Sequence, residues 1–134
     1  MKGLSVRAPW WWAILYCGKD IENRDWSTDF RGRVLLHASK WWATRDIDLD
    51  WVGLQKMAAR AGRPVPIVDW TRVQACGGCI VGSVEIVDCV TRSSSAWFMG
   101  KYGFLLRDPI AFTVPELCKG KLGFFDVPDR DLEG

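Results

Sequence analysis

Runs that are apolar throughout alternate along the chain with runs dense in charge, and the changeovers predict its elements. Gly3 to Arg7 read as a first strand. Pro9 then favours a first helical turn, and seven consecutive apolar residues from Trp10 to Tyr16 predict a short helix closed by Gly18, just beyond Cys17. Such a helix has no polar face, so it must be covered nearly all round. Directly after it comes Gly18-Lys19-Asp20-Ile21-Glu22-Asn23-Arg24, which reads as a charged loop on the rim of that cover. Gly32 to His37 read as a buried strand with a bend at Gly32.

Residues 41 to 62 look helical, with Leu49, Val52, Leu54, Met57, Ala58 and Ala61 at near-helical spacing and Gly62 and Pro64 as a stop. Arg63 to Gly78 is irregular, apart from a helical turn near Trp70 to Ala75. Cys79 to Thr91 carries the longest strand signal, a β-branched run interrupted by the acid Glu85. Arg92 to Ala96 is a serine-rich loop. Tyr102 to Arg107 and Leu122 to Val127 read as further strands, with Asp108-Pro109 and Pro115 as breaks. About five strands with helices inserted between them predict an α+β fold. It would be a small, partly closed β-barrel with helices over its openings, whose core includes Val6, Leu35, Val84 and Leu105. The length of 134 residues fits one domain, 1–134, with a helical insertion at about 43–74.

Composition is that of an ordinary globular domain except for nine tryptophans, more than a small core needs. Trp10, Trp26, Trp41, Trp42 and Trp97 fall at element ends, where a ring can face a groove; Trp51 and Trp70 suit packing within the insertion. Net charge is only +2, but residues 1 to 45 hold eight Lys/Arg against four Asp/Glu. A basic first third with interleaved aromatics suits a local phosphate-binding site and not a surface that wraps nucleic acid. No apolar stretch approaches the ~20 residues that span a bilayer, and Met1-Lys2-Gly3-Leu4 leads straight into a strand pattern, so a cytoplasmic protein without membrane contact is expected. Five cysteines form no disulfide framework. Cys76-Gly77-Gly78-Cys79 has half the spacing of a zinc site but no second pair, so no metal is expected and small buried thiols are.

Lys19, Glu22 and Arg24 are the first candidates for chemistry. Residues two apart on an extended segment project to one side, and Lys19 can reach it from the turn. Lysine offers three donors and arginine a planar fork for phosphate or carboxylate, while Glu22 can hold both cations in place or accept from a base's amino group. The bland alternative is a solvated turn with a surface ion pair. Lys19 is expected to be exposed, so that its loss would weaken binding without unfolding the protein. Glu85 becomes a second candidate if its strand faces the loop, and His37, the only histidine, reads more readily as a hydrogen-bonded structural residue than as a catalyst.

Several of these motifs occur together in one family. Pro9-Trp10 at a helix start, the Gly18/Lys19/Glu22/Arg24 loop, and an Arg31-Gly32 strand ending in His37-Ala38-Ser39 resemble the ASCH family, the activating-signal-cointegrator homology domains related to the PUA RNA-binding barrels. Gly82-Ser83-Val84-Glu85 and Gly103-Phe104-Leu105-Leu106 fit the same pattern, so the resemblance covers most of the chain except roughly 43 to 74. The loop here is one residue shorter between its glycine and Lys19, unless Cys17 takes the first glycine's place. The resemblance implies a cationic, aromatic-lined cleft binding RNA or a nucleotide, with DNA an alternative, through Lys19, Glu22, Arg24, Trp10, Trp26 and Trp97, and it implies no cofactor. Some similar proteins are amidohydrolases that remove an acetyl group from modified cytidine, using a lysine, a threonine and a glutamate. Carried over, the lysine falls on Lys19 and the glutamate on Glu85, but the threonine falls on Glu22, which is no hydroxyl nucleophile. Other members are reported to cleave RNA. A protein-interaction module, with tryptophan anchors and the 43–74 insertion as its surface, is the third reading.

Overall fold

The computed structural model of the chain describes residues 1–40 and 45–128. Trp41 and Trp42, two of the aromatics singled out above, lie outside them. The elements in chain order are β1 (Lys2–Val6), α1 (Trp10–Tyr16), β2 (Ile21–Arg24), β3 (Gly32–Ala38), α2 (Arg45–Arg60), α3 (Trp70–Ala75), β4 (Cys79–Val90), β5 (Tyr102–Leu117) and β6 (Phe124–Asp126). The strands form one mixed six-stranded sheet in the order β2-β5-β4-β3-β1-β6, curled into a half-barrel. All neighbours are antiparallel except β1 and β3, which run parallel with Gly3 beside Leu35 and Val6 beside Ala38.

Six strands replace the expected five because the charged run is itself a strand. Four residues with three polar side chains carry no alternation signal, yet Ile21 to Arg24 pair with Leu105 to Tyr102 of β5. β5 also outruns its predicted end. Asp108-Pro109 does not break it: Ser83 pairs with Ile110 while Glu85 pairs with Arg107, so one extra residue is taken up as a bulge, with Asp108 at a φ of 52°.

The main core lies inside the curl, where Val6, Val34, Leu36, Val84, Ile86, Phe104 and Leu106 meet Trp11 and Ile14 of α1. The expected core is half right. Pleating sends Leu35 to the opposite face, where it joins Ile80, Phe112, Cys118, Phe125 and Val127 in a second cluster, and Leu105 is only half-buried. His37 shares Leu35's face and is buried there. Its Nε2 donates to the Cys118 carbonyl at 2.6 Å, which leaves Nδ1 to accept from the Ser5 hydroxyl at 3.0 Å. His37 is therefore a structural clip between strand and C-terminal segment.

Helices α2 and α3 complete the core. In α2 the buried stripe is Leu54, Met57 and Ala58, with Ile47 and Trp51 packed beside it, while Leu49 and Val52, expected on that stripe, face solvent. The spacing 47, 51, 54, 58 is the true helical face. Trp51 packs edge-on against Trp70 of α3, ring centroids 5.3 Å apart, and Val73 of α3 is fully buried.

Gly82 allows the closest approach in the fold. A Cβ there would lie 2.4 Å from the Ile110 carbonyl oxygen on β5 and 2.9 Å from a methyl of Leu15 on α1. Gly82→Ala is expected to lower stability by about 2 kcal/mol through overpacking, read as a lower denaturation midpoint at unchanged slope. An unchanged midpoint would mean that β4 and β5 can move apart here at no cost.

Sheet closure is made by side chains. Among the described residues β2 and β6 are edges not hydrogen-bonded to one another. Trp26, just past β2, stands edge-on to Phe104 of β5 at 5.3 Å and to Phe124 of β6 at 5.7 Å, and Phe104 and Phe124 stack at 6.1 Å. Arg24 of β2 also donates to the Ser5 carbonyl of β1 at 2.7 Å.

Candidate functional site

α1 positions the first half of the site. Gly18, at a φ of 73°, ends the helix in the left-handed conformation, and the chain folds back so that Lys19 N–H donates to the Ala13 carbonyl at 3.1 Å. Lys19 is thereby carried beneath the start of the helix that precedes it. Its ammonium lies 5.5 Å from the Trp10 ring centroid.

β2 supplies the second half. Glu22 and Arg24 are two apart on a strand, and they project to one side. Lys19 Nζ donates to Glu22 Oε1 at 3.1 Å and to the Ile21 carbonyl, while Arg24 Nε donates to Glu22 Oε2 at 2.9 Å. The Arg24 guanidinium in turn lies 5.8 Å from the Trp26 ring centroid. The side chains of Lys19, Glu22 and Arg24 are 2%, 8% and 18% exposed. This is a buried cation–anion–cation triad, not the solvated ion pair of the bland reading, and Lys19 is not the exposed lysine expected from sequence.

Burial is the largest influence on the Lys19 ammonium and lowers its pKa, with Glu22 acting in the opposite direction. Burial alone would raise the Glu22 carboxyl, but the charges and hydrogen bonds of Lys19 and Arg24 outweigh it and hold the pKa below the ordinary carboxylate value. At neutral pH Glu22 is therefore an ionised acceptor with both oxygens occupied. That suits it to hold its neighbours and not to transfer protons.

These side chains open into a cleft of about 590 Å³. Trp10, Lys19, Glu22, Arg24 and Trp26 all line it. Two residues proposed from sequence do not. Trp97 is 3% exposed within the core, where it anchors the loop before β5. Glu85 lies on the opposite face of β4 from Val84 and Ile86, held by Arg107 through Nε at 3.2 Å and Nη2 at 2.9 Å. Its convergence with Lys19 and Glu22 does not occur, and the flanking core residues Val84 and Ile86 already signalled that parity in the sequence.

Sequence reading missed other contributors. Asp50 of α2 forms a two-point pair with Arg7, Oδ2 to Nε at 2.7 Å and Oδ1 to Nη2 at 3.2 Å, so α2 forms one wall of the cleft. A carboxylate between Ile47 and Leu54, near the core-facing side of α2, was its signal. Met99 also lines the cleft and had none. Arg7, Lys19 and Arg24 face Glu22, Asp25 and Asp50, so among the described lining residues the charges balance. The expected cationic cleft is a polar, aromatic, charge-neutral one.

The Cys76-Gly77-Gly78-Cys79 run brackets the turn from α3 into β4, with Cys79 N–H donating to the Cys76 carbonyl at 3.0 Å. Burial raises the pKa of both thiols, which disfavours the thiolate that a metal or a redox reaction needs. Among the described residues no three His, Cys, Asp or Glu side chains are grouped to hold a metal ion. Nor is any described helix long and apolar enough to cross a membrane.

A curled α+β half-barrel with its first helix and a Lys/Glu/Arg run around a cleft defines the PUA-like class of small domains. The chain belongs to the ASCH domain family, whose model matches residues 4–114. Comparison with curated proteins gave no match.

Proposed function

We propose that this domain binds RNA or a nucleotide-like ligand in the cleft beside Lys19. The observation that carries the reading is two cations set against two tryptophan rings around a buried carboxylate, all lining one cleft. Charges are costly to bury, and a triad that barely breaks even in stability is well suited to presenting donors to a ligand. Among the described residues the Lys19 ammonium donates to Glu22 and the Ile21 carbonyl, and the Arg24 guanidinium to Glu22 and the Ser5 carbonyl, fewer partners than either group has hydrogens, so donors remain on both. The rings of Trp10 and Trp26 offer stacking surface, and a volume of about 590 Å³ suits a ligand of nucleotide size.

The hydrolytic reading has less support. The threonine of the similar amidohydrolases falls on Glu22, which is no hydroxyl nucleophile, and Glu85 is engaged by Arg107 away from the cleft.

The test is titration of the protein with a short single-stranded RNA and with nucleosides and nucleotides at low salt, followed by tryptophan fluorescence. Saturable one-to-one binding is expected. Trp26→Leu, checked for folding by its melting curve, should weaken it about tenfold, the lower part of the range for one lost base stack. Absence of binding to any of these ligands would remove the proposal.

A further inference from the structure

The ligand's uncharged heterocycle and its phosphate make opposite demands on the cleft, and the residues at its rim answer them differently. This step rests on the binding reading above. A phosphate is favoured by uncompensated cations and unused N–H groups. Here each cation already faces an acid. Arg7 is held by Asp50 at 2.7 Å, and Lys19 and Arg24 share Glu22. Asp25 adds a further exposed carboxylate at the cleft, with no ion pair among the described residues. A phosphate entering this space meets three acids as well as three cations. A heterocycle meets aromatic faces, donors from Lys19 and Arg24 for its carbonyl groups, and in Asp25 an acceptor for its amino groups.

The loop before β5 adds an apolar contact. Trp97 is buried in the core, and the Phe98 ring lies over Gly103, where a Cβ would meet it at 2.8 Å. Asn23 of β2 pins the same loop twice, donating from Nδ2 to the Trp97 carbonyl at 2.9 Å and accepting the Met99 N–H at 3.0 Å. So anchored, the loop presents Met99, 56% exposed, at the cleft. A thioether is polarisable and adaptable, and it packs well against the plane of an aromatic ring.

We infer that the cleft admits the base of a nucleoside or of an unstacked nucleotide and leaves its phosphate outside, and that Asp25 and Met99 set this preference. Met99 grips the ring and Asp25 repels the phosphate while accepting from an amino group. Asn23 is the positioning residue that fixes Met99.

The test compares adenosine, guanosine, cytidine and uridine with their 5′-monophosphates and a short single-stranded RNA, across a range of salt. Nucleosides should bind at least as tightly as their monophosphates, with neither affinity depending on salt. A phosphate held inside would make monophosphate affinity fall as salt rises, while nucleoside affinity stays flat. Asp25→Asn should shift the preference toward the monophosphate by about two- to fivefold, as expected for one solvent-screened charge. Met99→Ala should weaken nucleoside and monophosphate alike by about two- to tenfold, leaving their ratio unchanged. Both side chains are exposed, so the two variants should melt as the wild type does. Tightest binding of the RNA would identify the base as part of a strand, and tightest binding of a nucleoside would identify a free metabolite; each supports the inference. Monophosphates that bind about tenfold tighter than nucleosides, with an affinity that falls as salt rises, would overturn it while leaving nucleotide binding intact. No binding of any probe would overturn both readings.

Discussion

Lys19→Ala is expected to lower the unfolding free energy by about 3 kcal/mol, the low end of the cost of removing one partner from a buried ion pair. The low end applies because Arg24 still engages Glu22 Oε2 at 2.9 Å after the change. The melting temperature should fall by roughly 10 °C for a domain of this size. The loss arises from the carboxylate left behind, so the conservative change Lys19→Met should destabilise nearly as much. Adding Glu22→Gln to Lys19→Met should recover a good part of it, and a double-mutant cycle reads the coupling directly. Melting unchanged in Lys19→Ala would mean that the triad contributes nothing to stability.

The same triad sets a pH dependence with a definite sign. The pKa of Glu22 is depressed from an ordinary value near 4.5, so its contribution to stability is present above that value and is lost as pH falls through the folded-state pKa. The pKa of Lys19 is lowered by burial, with Glu22 acting in the opposite direction, so its proton is shed at a lower pH than an exposed lysine's. Glu22→Gln should therefore flatten the acid limb of a stability profile. An acid limb as steep in Glu22→Gln as in wild type would place the responsible carboxylate elsewhere.

Phe104→Ala is expected to cost about 4 kcal/mol, within the range for a fully buried phenylalanine. Its consequence should also be local. Phe104 lies on β5 and its stacking partner Phe124 on β6, strands that are not neighbours in the sheet, so the ring pair fastens the half-barrel across its open seam. Backbone amides of Phe124–Asp126 should exchange much faster in Phe104→Ala than amides in the middle of β4. Val84→Ala serves as the control, since Val84 is as deeply buried but sits in a central strand. Uniform loss of protection in both variants would show that the aromatic seam is no more than core.

Proximity in sequence made part of the site legible. Lys19, Glu22 and Arg24 lie within six positions, so an extended segment after the glycine turn brings them to one side. The parity of Glu85 was also legible, since the core residues Val84 and Ile86 flank it. Trp97 and Met99 were not. Two apolar side chains just past the serine-rich loop are indistinguishable until Asn23, more than seventy positions away, fixes which is buried and which faces the cleft.

The sequence by itself determined the apolar first helix and its glycine stop, the long fourth strand, the helical stretch before it with Trp51 and Trp70 as packing residues, and the family. Each rests on local periodicity or on a motif of adjacent residues. Only the tertiary structure decided that the charged run is a strand, that β5 passes through two prolines by bulging, that Asp50 walls the cleft, and that the charges of its described lining residues cancel. Those outcomes depend on the curl of the sheet, which brings β1, β2 and α2 together. A curl is the sum of small twists and bulges over many pairs, and no single stretch of sequence carries it.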